Sequence, residues 1–443
     1  MKLSVLFHRL GPYHRARLEA AARVCELTAI ELSADTAEYG WEKIHGAQGF
    51  ERVTLFPRGD SREAAADEVR LRVRNALDKA RPEAVAIPGW SDRAAFMALA
   101  WCVEHGVPAM LMSESTAHDE PRVWWKEFVK RRVVRLCSTA LVGGRLHTAY
   151  LEQLGLHRDR IFTGYDVVDN EHFSKAETLK TEMLKGESGK PVGGSQGVGM
   201  SVVSVAVVVP ATDTPASVAP PSPFFLASAR FISKKNLPLL LRAYARYRET
   251  VGGGRLAVDG GQPAHRRTDA PTTGPWPLVL LGDGPLRSEL CALISDLCLQ
   301  DSVLLPGFIQ YDELPAWYAR AGAFVHASTT EQWGLVVNEA VAAGLPVIVS
   351  NRCGCVPELV REGVNGFTFD PNNVEELAAL LLKISAFNFP LSTFGTASRE
   401  ISTHYEPARF GEGLRAAAEL AVRLPRRVAR PWDRALLNRL SKR

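Results

Sequence analysis

Two glutamates eight positions apart mark the stretch of this sequence that is best suited to bind a charged substrate. Glu331 follows an apolar strand, and Glu339 falls about one turn into the helix that comes next. Gly334, Leu335 and Val336 would begin that helix, where backbone amides have no intrahelical acceptor. Such a helix start binds anions, and Glu339 would then reach a ribose attached to a bound phosphate. For an isolated pair, two solvated helix-end glutamates are the simpler interpretation.

Short apolar strands alternate with helical patterns on both sides of this stretch. This alternation of strands and helices predicts parallel βαβ units. In the first half the predicted segments are the strands Leu3–Phe7, Leu27–Leu32, Ala84–Pro88, Pro108–Met112 and Ala140–Val142, and the helices Arg15–Cys25, Ala94–Glu104 and Thr148–Leu154. In the second half they are the strands Phe224–Ala229, Leu278–Leu281, Val303–Leu305, Ala323–His326 and Val347–Val349, and the helices Leu237–Thr250, Pro285–Leu299, Leu335–Ala343 and Val374–Ile384.

Composition divides the chain into four parts. We predict a first α/β domain over residues 1–173, a low-complexity linker or insertion over 174–223 that is rich in Gly, Ser and Pro, a second α/β domain over 224–400 and C-terminal helices with a basic tail over 401–443. A loop insertion at about 252–277 interrupts the second domain. Two doubly wound domains in tandem would face each other across a cleft, at the strand ends where such sheets bind ligands.

Charge and cysteine content exclude several classes of protein. The net charge of +4 is too small for bulk nucleic-acid binding. Seven scattered cysteines suit reduced thiols in a cytoplasmic protein, and the Cys353 and Cys355 pair lacks partners at metal-ligand spacing. No apolar stretch approaches the roughly 20 residues that a spanning helix needs. We therefore expect a cytoplasmic globular protein without a structural metal.

Several motifs in order resemble glycosyltransferase family 4, the large retaining group with the GT-B fold. The two glutamates and the residues between them resemble its Glu-x7-Glu signature, and the resemblance extends over nearly the whole of residues 224–370. The other matching segments are Ser228–Asn236, Leu281–Leu286, Pro306–Ile309 and Gly354–Gly366. In the first half, Gly164–Phe173 resembles the segment before the family's interdomain linker.

The resemblance implies a role for each donor-side residue. Glu331 would face the hydroxyls of the donor sugar, Glu339 the ribose, and the backbone near Ile309 the base. Arg230 and Lys235, together with the amides of the helix start, would meet the negative charge that forms on the departing nucleoside diphosphate. Taken alone, either cation is more typical of a solvated surface.

No cofactor or metal is expected for this reaction. The chain has no Asp-x-Asp, so it lacks the usual carboxylate clamp for a metal-bound diphosphate. The family's retention of the anomeric configuration is usually explained by front-face attack, in which the donor phosphate helps deprotonate the acceptor. The protein would then contribute positioning and charge stabilisation. The resemblance therefore implies a metal-independent enzyme without a covalent nucleophile.

The acceptor side is less defined. Gly11 follows the first strand, where the family's glycine loop approaches the donor phosphates, and His14 and Arg17 lie nearby as acceptor-side candidates. Many family members have a histidine after a later strand, but here that position holds Glu114 and the nearest histidine is His118. Both are acceptor-side candidates, and a polar loop without a catalytic role is an equal alternative.

The segment 122–135 combines aromatic and basic residues on an apparent helix. Its simpler interpretation is an apolar stripe facing the core with a solvated basic face; the alternative is peripheral contact with anionic lipid at the inner face of a membrane.

We therefore expect transfer of a sugar from a nucleotide-sugar donor to a glycan or lipid-linked acceptor in cell-surface polysaccharide synthesis. The alternatives are a nucleotide-sugar-binding partner without activity and a GT-B nucleotide-sugar epimerase.

Overall fold

The chain forms two compact α/β units. A computed structural model describes residues 1–34, 41, 46, 49–188, 220, 223–252 and 274–442. Unit 1 comprises Met1–Asp169 and His404–Arg443, and unit 2 comprises Asn170–Thr403. Each unit contains one parallel sheet with helices packed against it.

The sheet of unit 1 has seven strands in the order β3-β2-β1-β4-β5-β6-β7, all paired in parallel. The strand order reverses between β1 and β4, which is the position where sheets of this kind bind ligands beyond their carboxyl ends. The strands are β1 Lys2–Phe7, β2 Glu26–Ser33, β3 Glu51–Phe56, β4 Ala84–Pro88, β5 Ala109–Ser113, β6 Thr139–Val142 and β7 Ile161–Thr163. The helices of unit 1 are α1 Pro12–Ala22, α2 Ala66–Ala80, α3 Arg93–His105, α4 Trp124–Leu136, α5 Arg145–Gln153, α14 Pro407–Arg423 and α15 Pro431–Leu440.

The sheet of unit 2 repeats this topology with six parallel strands in the order β10-β9-β8-β11-β12-β13. Its central strands are largely apolar because helices cover them; all four residues of β11 and of β12 are buried, including His326 and Ser350 at their ends. The strands are β8 Phe225–Ser228, β9 Leu278–Leu281, β10 Val303–Gly307, β11 Ala323–His326, β12 Val347–Ser350 and β13 Gly366–Phe369. The helices are α6 Asn170–Ser188, α7 Leu237–Gly252, α8 Arg287–Asp296, α9 Leu314–Arg320, α10 Leu335–Ala342, α11 Val356–Leu359, α12 Val374–Ile384 and α13 Leu391–Ser402.

The structure corrects the predicted boundaries at two places. Residues 174–188 are helical, as part of α6 in unit 2, and are not linker; the rest of the predicted linker and most of the 252–277 insertion lie outside the described residues. The predicted basic tail contains α15, which packs on α3 and buries Leu437. Residues from His404 onward belong to unit 1.

The prediction for the basic helix is wrong for its aromatic residues. Within α4 the aliphatic residues Val133, Val134 and Leu136 are buried, as a core-facing stripe requires. Trp124 and Phe128, however, are exposed. The apolar character of this helix is therefore divided between the core and the surface.

Candidate functional site

An ion pair between Lys235 and Glu331 lies at the carboxyl edge of the unit 2 sheet. Lysine Nζ contacts the carboxylate Oε2, and Lys234 Nζ lies 3.5 Å from Oε1. Only 13% of the Lys235 side chain and 11% of the Glu331 side chain are exposed. Because water is largely excluded, this charge interaction is stronger than a surface pair.

Local backbone structure brings the two partners together. Residues Ser233–Lys235 form a 3-10 turn that ends at Asn236, whose φ of 55° is tolerated by asparagine better than by most residues. Asn236 Nδ2 donates to the Pro371 carbonyl at 2.8 Å, and the Thr329 amide donates to the Lys234 carbonyl at 2.9 Å. The turn is thereby fixed against the loop that carries the glutamate.

His326 and Ser328 also belong to this cluster, although the sequence patterns do not identify them. His326 Nε2 lies 3.7 Å from Glu331 Oε2 and 3.1 Å from Ser328 Oγ. Burial raises the pKa of the Glu331 carboxyl, but the contact with His326 and the charge of Lys235 outweigh it and hold that pKa well below its usual range. Burial lowers the pKa of His326. At neutral pH the cluster therefore contains an ionised carboxylate and a neutral imidazole.

The start of α10 lies beside the ion pair. Gly334, with φ of 107°, precedes the helix, and a Cβ placed on it would be 3.5 Å from Glu331 Cγ. The amides of Leu335 and Val336 lie in the first turn, where helix amides lack intrahelical acceptors. The structure thus places the predicted anion-binding helix start next to Glu331.

Glu339 is buried in this structure. It has 0% exposure, and its Oε2 accepts a 2.6 Å hydrogen bond from the Tyr318 hydroxyl. A ribose would reach this carboxylate only after a local shift of the chain around it, so its predicted role remains a prediction.

A glycine turn after β9 fixes the backbone around Arg230. Gly282 has φ of 123°, and a Cβ there would lie 1.9 Å from the Ala229 carbonyl oxygen. The Phe231 amide also donates to the Asp283 carbonyl at 2.8 Å. Only glycine permits this close approach of two backbones. Arg230 is exposed just beyond β8.

Two further donor-side residues lie at strand ends. Ile309 is buried two residues beyond β10, and Gly11 precedes α1 in unit 1 with an ordinary φ of −116°. A Cβ on Gly11 would meet only the His14 ring, at 3.7 Å, so the fold itself leaves room for a larger residue there. Across the described ranges, no group of three or more His, Cys, Asp or Glu side chains is arranged to hold a metal ion.

In unit 1, the acceptor-side candidates His14 and Arg17 lie on α1. The Gly11 amide donates to His14 Nδ1 at 3.1 Å. Burial, reinforced by the charge of Arg17, lowers the pKa of His14 to about 3, which keeps the imidazole neutral. Arg17 is 1% exposed and donates through Nε to the Val167 carbonyl at 2.9 Å.

Asp166 connects Arg17 with Glu114. It is 1% exposed, and Arg17 Nη2 lies 3.8 Å from its Oδ1. It also interacts electrostatically with the carboxyl of Glu114, which follows β5 and is half-buried. Burial, together with the charge of Glu114, raises the pKa of Asp166 well above its usual range. Two neighbouring carboxyls whose charges repel each other share one proton, and at Asp166 burial favours the neutral form against the opposing charge of Arg17.

The fourth acceptor-side candidate lies apart from these groups. His118 is exposed, and its amide donates to Thr116 Oγ1 at 3.2 Å. The structure therefore connects His14, Arg17 and Glu114 through Asp166, which the sequence patterns do not single out.

Comparison with known proteins finds a family match in the second half of the chain. Residues 213–388 match Glycosyl transferases group 1. The sulfoquinovosyl transferase SQD2 of Arabidopsis thaliana is 33% identical over 132 residues, which are 29% of this chain and 25% of that protein. A GDP-mannose-dependent alpha-(1-6)-phosphatidylinositol monomannoside mannosyltransferase of Mycobacterium tuberculosis is 34% identical over 130 residues, 28% of this chain and 34% of that protein. The matches thus span about a quarter to a third of these relatives.

Solved structures resemble nearly the whole chain in fold. Anabaena HepE in complex with UDP and glucose has a TM-score of 0.63 at 16% identity, over 94% of this chain and 98% of that one. WaaG, a glycosyltransferase involved in lipopolysaccharide biosynthesis, has a TM-score of 0.59 at 14% identity, over 94% and 99%. Residues 213–388 thus match the family model of glycosyl transferases group 1. The chain that contains them has the GT-B fold, with two Rossmann-like α/β domains.

Proposed function

We propose that this protein is a retaining, metal-independent glycosyltransferase that moves a sugar from a nucleotide-sugar donor to a hydroxyl of an acceptor. The observation that carries the proposal is the ion pair of Lys235 and Glu331 beside the start of α10, inside the segment that matches group 1. The pair offers a cation for a phosphate, a carboxylate for sugar hydroxyls and helix amides for a further phosphate oxygen.

The donor-side roles follow from these groups. Lys235 and the exposed Arg230 neutralise the charge on the leaving diphosphate, while the ionised Glu331 accepts hydrogen bonds from sugar hydroxyls. Glu339 binds the ribose after the local shift that its burial requires, and the backbone at Ile309 contacts the base. Fixed cations and amides of this kind replace a metal ion when they are held rigidly, and the backbone contacts of the lysine turn support such rigidity.

On the acceptor side we assign Glu114, in place of the donor phosphate, as the group that receives the proton of the acceptor hydroxyl. The hydroxyl oxygen bonds to the anomeric carbon on the face that the diphosphate leaves, as retention requires. The bond from that carbon to the diphosphate breaks, and its electron pair leaves with the diphosphate. Asp166 stays protonated and donates to Glu114, so that Glu114 is the ionised member of the pair.

The acceptor we propose is a glycan or lipid-linked intermediate of cell-surface polysaccharide, used in the cytoplasm at the inner face of the membrane. Support comes from the relatives, one of which is named for a phosphatidylinositol-linked acceptor and one for lipopolysaccharide biosynthesis.

Donor binding gives the first test. We expect the melting temperature of the protein, measured in EDTA, to rise with one of UDP-, GDP-, ADP- or TDP-sugars, because a ligand that binds only the folded state stabilises it. A rise that requires added Mg²⁺ or Mn²⁺ would contradict metal independence. The Glu331→Ala variant is the matched control, since it should lose most of the shift produced by the sugar nucleotide.

A further inference from the structure

Glu31 is a buried carboxylate near the end of β2, and the proposed chemistry does not use it. Its exposure is 0%, and it pairs with Arg52 on the adjacent strand β3, whose Nη2 lies 2.7 Å from Oε2. Arg52 Nε, at 3.1 Å, and the Thr54 hydroxyl, at 2.8 Å, also donate to Oε2. The second oxygen, Oε1, accepts a 2.9 Å hydrogen bond from the amide of Leu10. Both oxygens therefore have partners, as a buried charge requires.

The Leu10 amide belongs to the loop that joins β1 to α1, residues 8–11. An ion pair between two strands does not by itself explain a buried glutamate, because apolar side chains of similar volume often stabilise a fold equally well. A carboxylate, however, can pair with an arginine through one oxygen and accept from a loop amide through the other. The contact with Leu10 therefore gives the buried charge a function beyond the sheet, which is to hold the loop.

Other side chains hold the same loop. His8 Nδ1 lies 2.8 Å from Asp92 Oδ2, and its Nε2 lies 3.3 Å from Asp60 Oδ1. Asp92 is itself fixed as the N-cap of α3. At the other end of the loop, the Gly11 amide donates to His14 Nδ1 at 3.1 Å. The conformation of the loop is therefore set by side chains of the fold before any ligand binds.

This fixed loop presents the backbone of Gly11. The φ of −116° at this residue is open to any amino acid, and a Cβ there would lie at an ordinary contact distance of 3.7 Å from His14 Nδ1. The fold therefore does not require glycine at this position. A ligand that approaches the backbone closely would require it.

We propose that Glu31 is a positioning residue, which fixes the β1–α1 loop through the Leu10 amide so that Gly11 lies close to a phosphate of the donor. Glu31 itself touches no substrate. The inference rests on the proposed function, in which the groups that meet the leaving diphosphate are held in place beforehand. Loss of Glu31 should slow transfer more than it weakens donor binding, because the lysine and glutamate of the donor site in unit 2 remain intact.

The test is the replacement Glu31→Gln in the purified full-length protein. A glutamine has one acceptor oxygen, so it can face the Leu10 amide or Arg52 but not both. With the sugar nucleotide that raises the melting temperature most, we expect kcat to fall by about 10²-fold, the loss that follows a displacement of about 1 Å. The melting-temperature shift that the sugar nucleotide produces should remain. Hydrogen exchange of the Leu10 amide should become at least about tenfold faster, since a bond to a charged group is lost.

Asp433→Asn is the matched control, because Asp433 is a buried carboxylate of the same unit with the same kinds of partner. It is 2% exposed, pairs with Arg135 at 2.7 Å and accepts from the Arg430 amide at 2.9 Å, in α4 and the C-terminal segment. The control should lower the melting temperature and leave kcat and the exchange of Leu10 unchanged. If Glu31→Gln does not fold, Glu31→Met/Arg52→Met replaces the buried pair by apolar side chains and should show the same loss of kcat.

A double-mutant cycle with Gly11→Ala shows whether Glu31 acts through the loop. Gly11→Ala should lower kcat at an unchanged melting temperature, since the fold has room for the methyl group. Glu31→Gln/Gly11→Ala should then lose little more than the larger of the two single losses, because both changes affect one contact.

Three results would overturn the inference: wild-type kcat in Glu31→Gln, an equal loss of kcat in Asp433→Asn, or losses that multiply in the cycle. Failure of the proposed function gives a different result, since the wild type itself would then release no nucleoside diphosphate from the donor. Exchange of the Leu10 amide would still decide whether Glu31 holds the loop, and unchanged exchange in Glu31→Gln would contradict it.

Discussion

Replacing Lys235 with alanine is expected to lower turnover by about 10²- to 10³-fold, the usual loss when one charge-stabilising group is removed from a transition state. The lysine Nζ is held by Glu331 at a mostly buried position, so it needs little reorganisation to meet the leaving diphosphate. Glu331→Ala should lose turnover to a similar degree, because it removes the group that orients the lysine and binds the sugar. The measurement is the steady-state rate with the donor that raises the melting temperature most.

Lys175→Ala provides the matched control, since Lys175 is an exposed lysine on α6 of the same unit. It should keep the wild-type rate. Circular dichroism and thermal unfolding should show that all three variants remain folded. Wild-type turnover in both Lys235→Ala and Glu331→Ala would remove the basis for the donor site.

The second large effect is expected at Glu114. Glu114→Gln should lower turnover by about 10²- to 10⁴-fold, the range that general-base catalysis contributes. The glutamine keeps the size of the side chain and its contact with Asp166 but cannot accept a proton. The loss should be in kcat.

Substitutions at Asp166 separate a protonated carboxyl from an ionised one. Because burial and the charge of Glu114 raise the pKa of Asp166, we propose that this group keeps its proton during turnover. Asp166→Asn, which also donates a hydrogen bond and carries no charge, should keep most of the activity, whereas Asp166→Ala should lose it. Equal loss of turnover in Asp166→Asn and Glu114→Gln would mean that Asp166 functions in its ionised form. Wild-type turnover of Glu114→Gln would exclude Glu114 as the base.

Much of the fold follows from hydrophobic patterns. The strands Ala84–Pro88 and Leu278–Leu281 and the helix Val374–Ile384 have the bounds that the patterns predict, because long apolar runs and clear turns define them. β3 and α2 are missed, since Glu51–Phe56 is short and only partly apolar at a sheet edge and Ala66–Ala80 is strongly charged. Weakly apolar elements depend on packing partners that a local pattern does not contain.

The candidate site is predictable only where motifs mark it. Lys235 and Glu331 are 96 positions apart, so their contact follows from strand order and not from local spacing. His326 ends a buried strand and has the pattern of a core residue, and Asp166 lies in the Gly164–Phe173 segment, whose resemblance implies no role for it. Both are polar groups at the carboxyl ends of parallel strands, and that signal would have identified them. The exposed aromatics of α4 are missed because an amphipathic pattern does not show which face packs.

The release of free nucleoside diphosphate tests the central claim most directly. The purified protein would be incubated in EDTA with its best-binding sugar nucleotide, first alone and then with a lipid extract as acceptor. We predict slow release without acceptor, faster release with it, and loss of both in Lys235→Ala. Donor binding with no release under either condition would contradict the account, and would mean that the protein binds nucleotide sugars without transferring them.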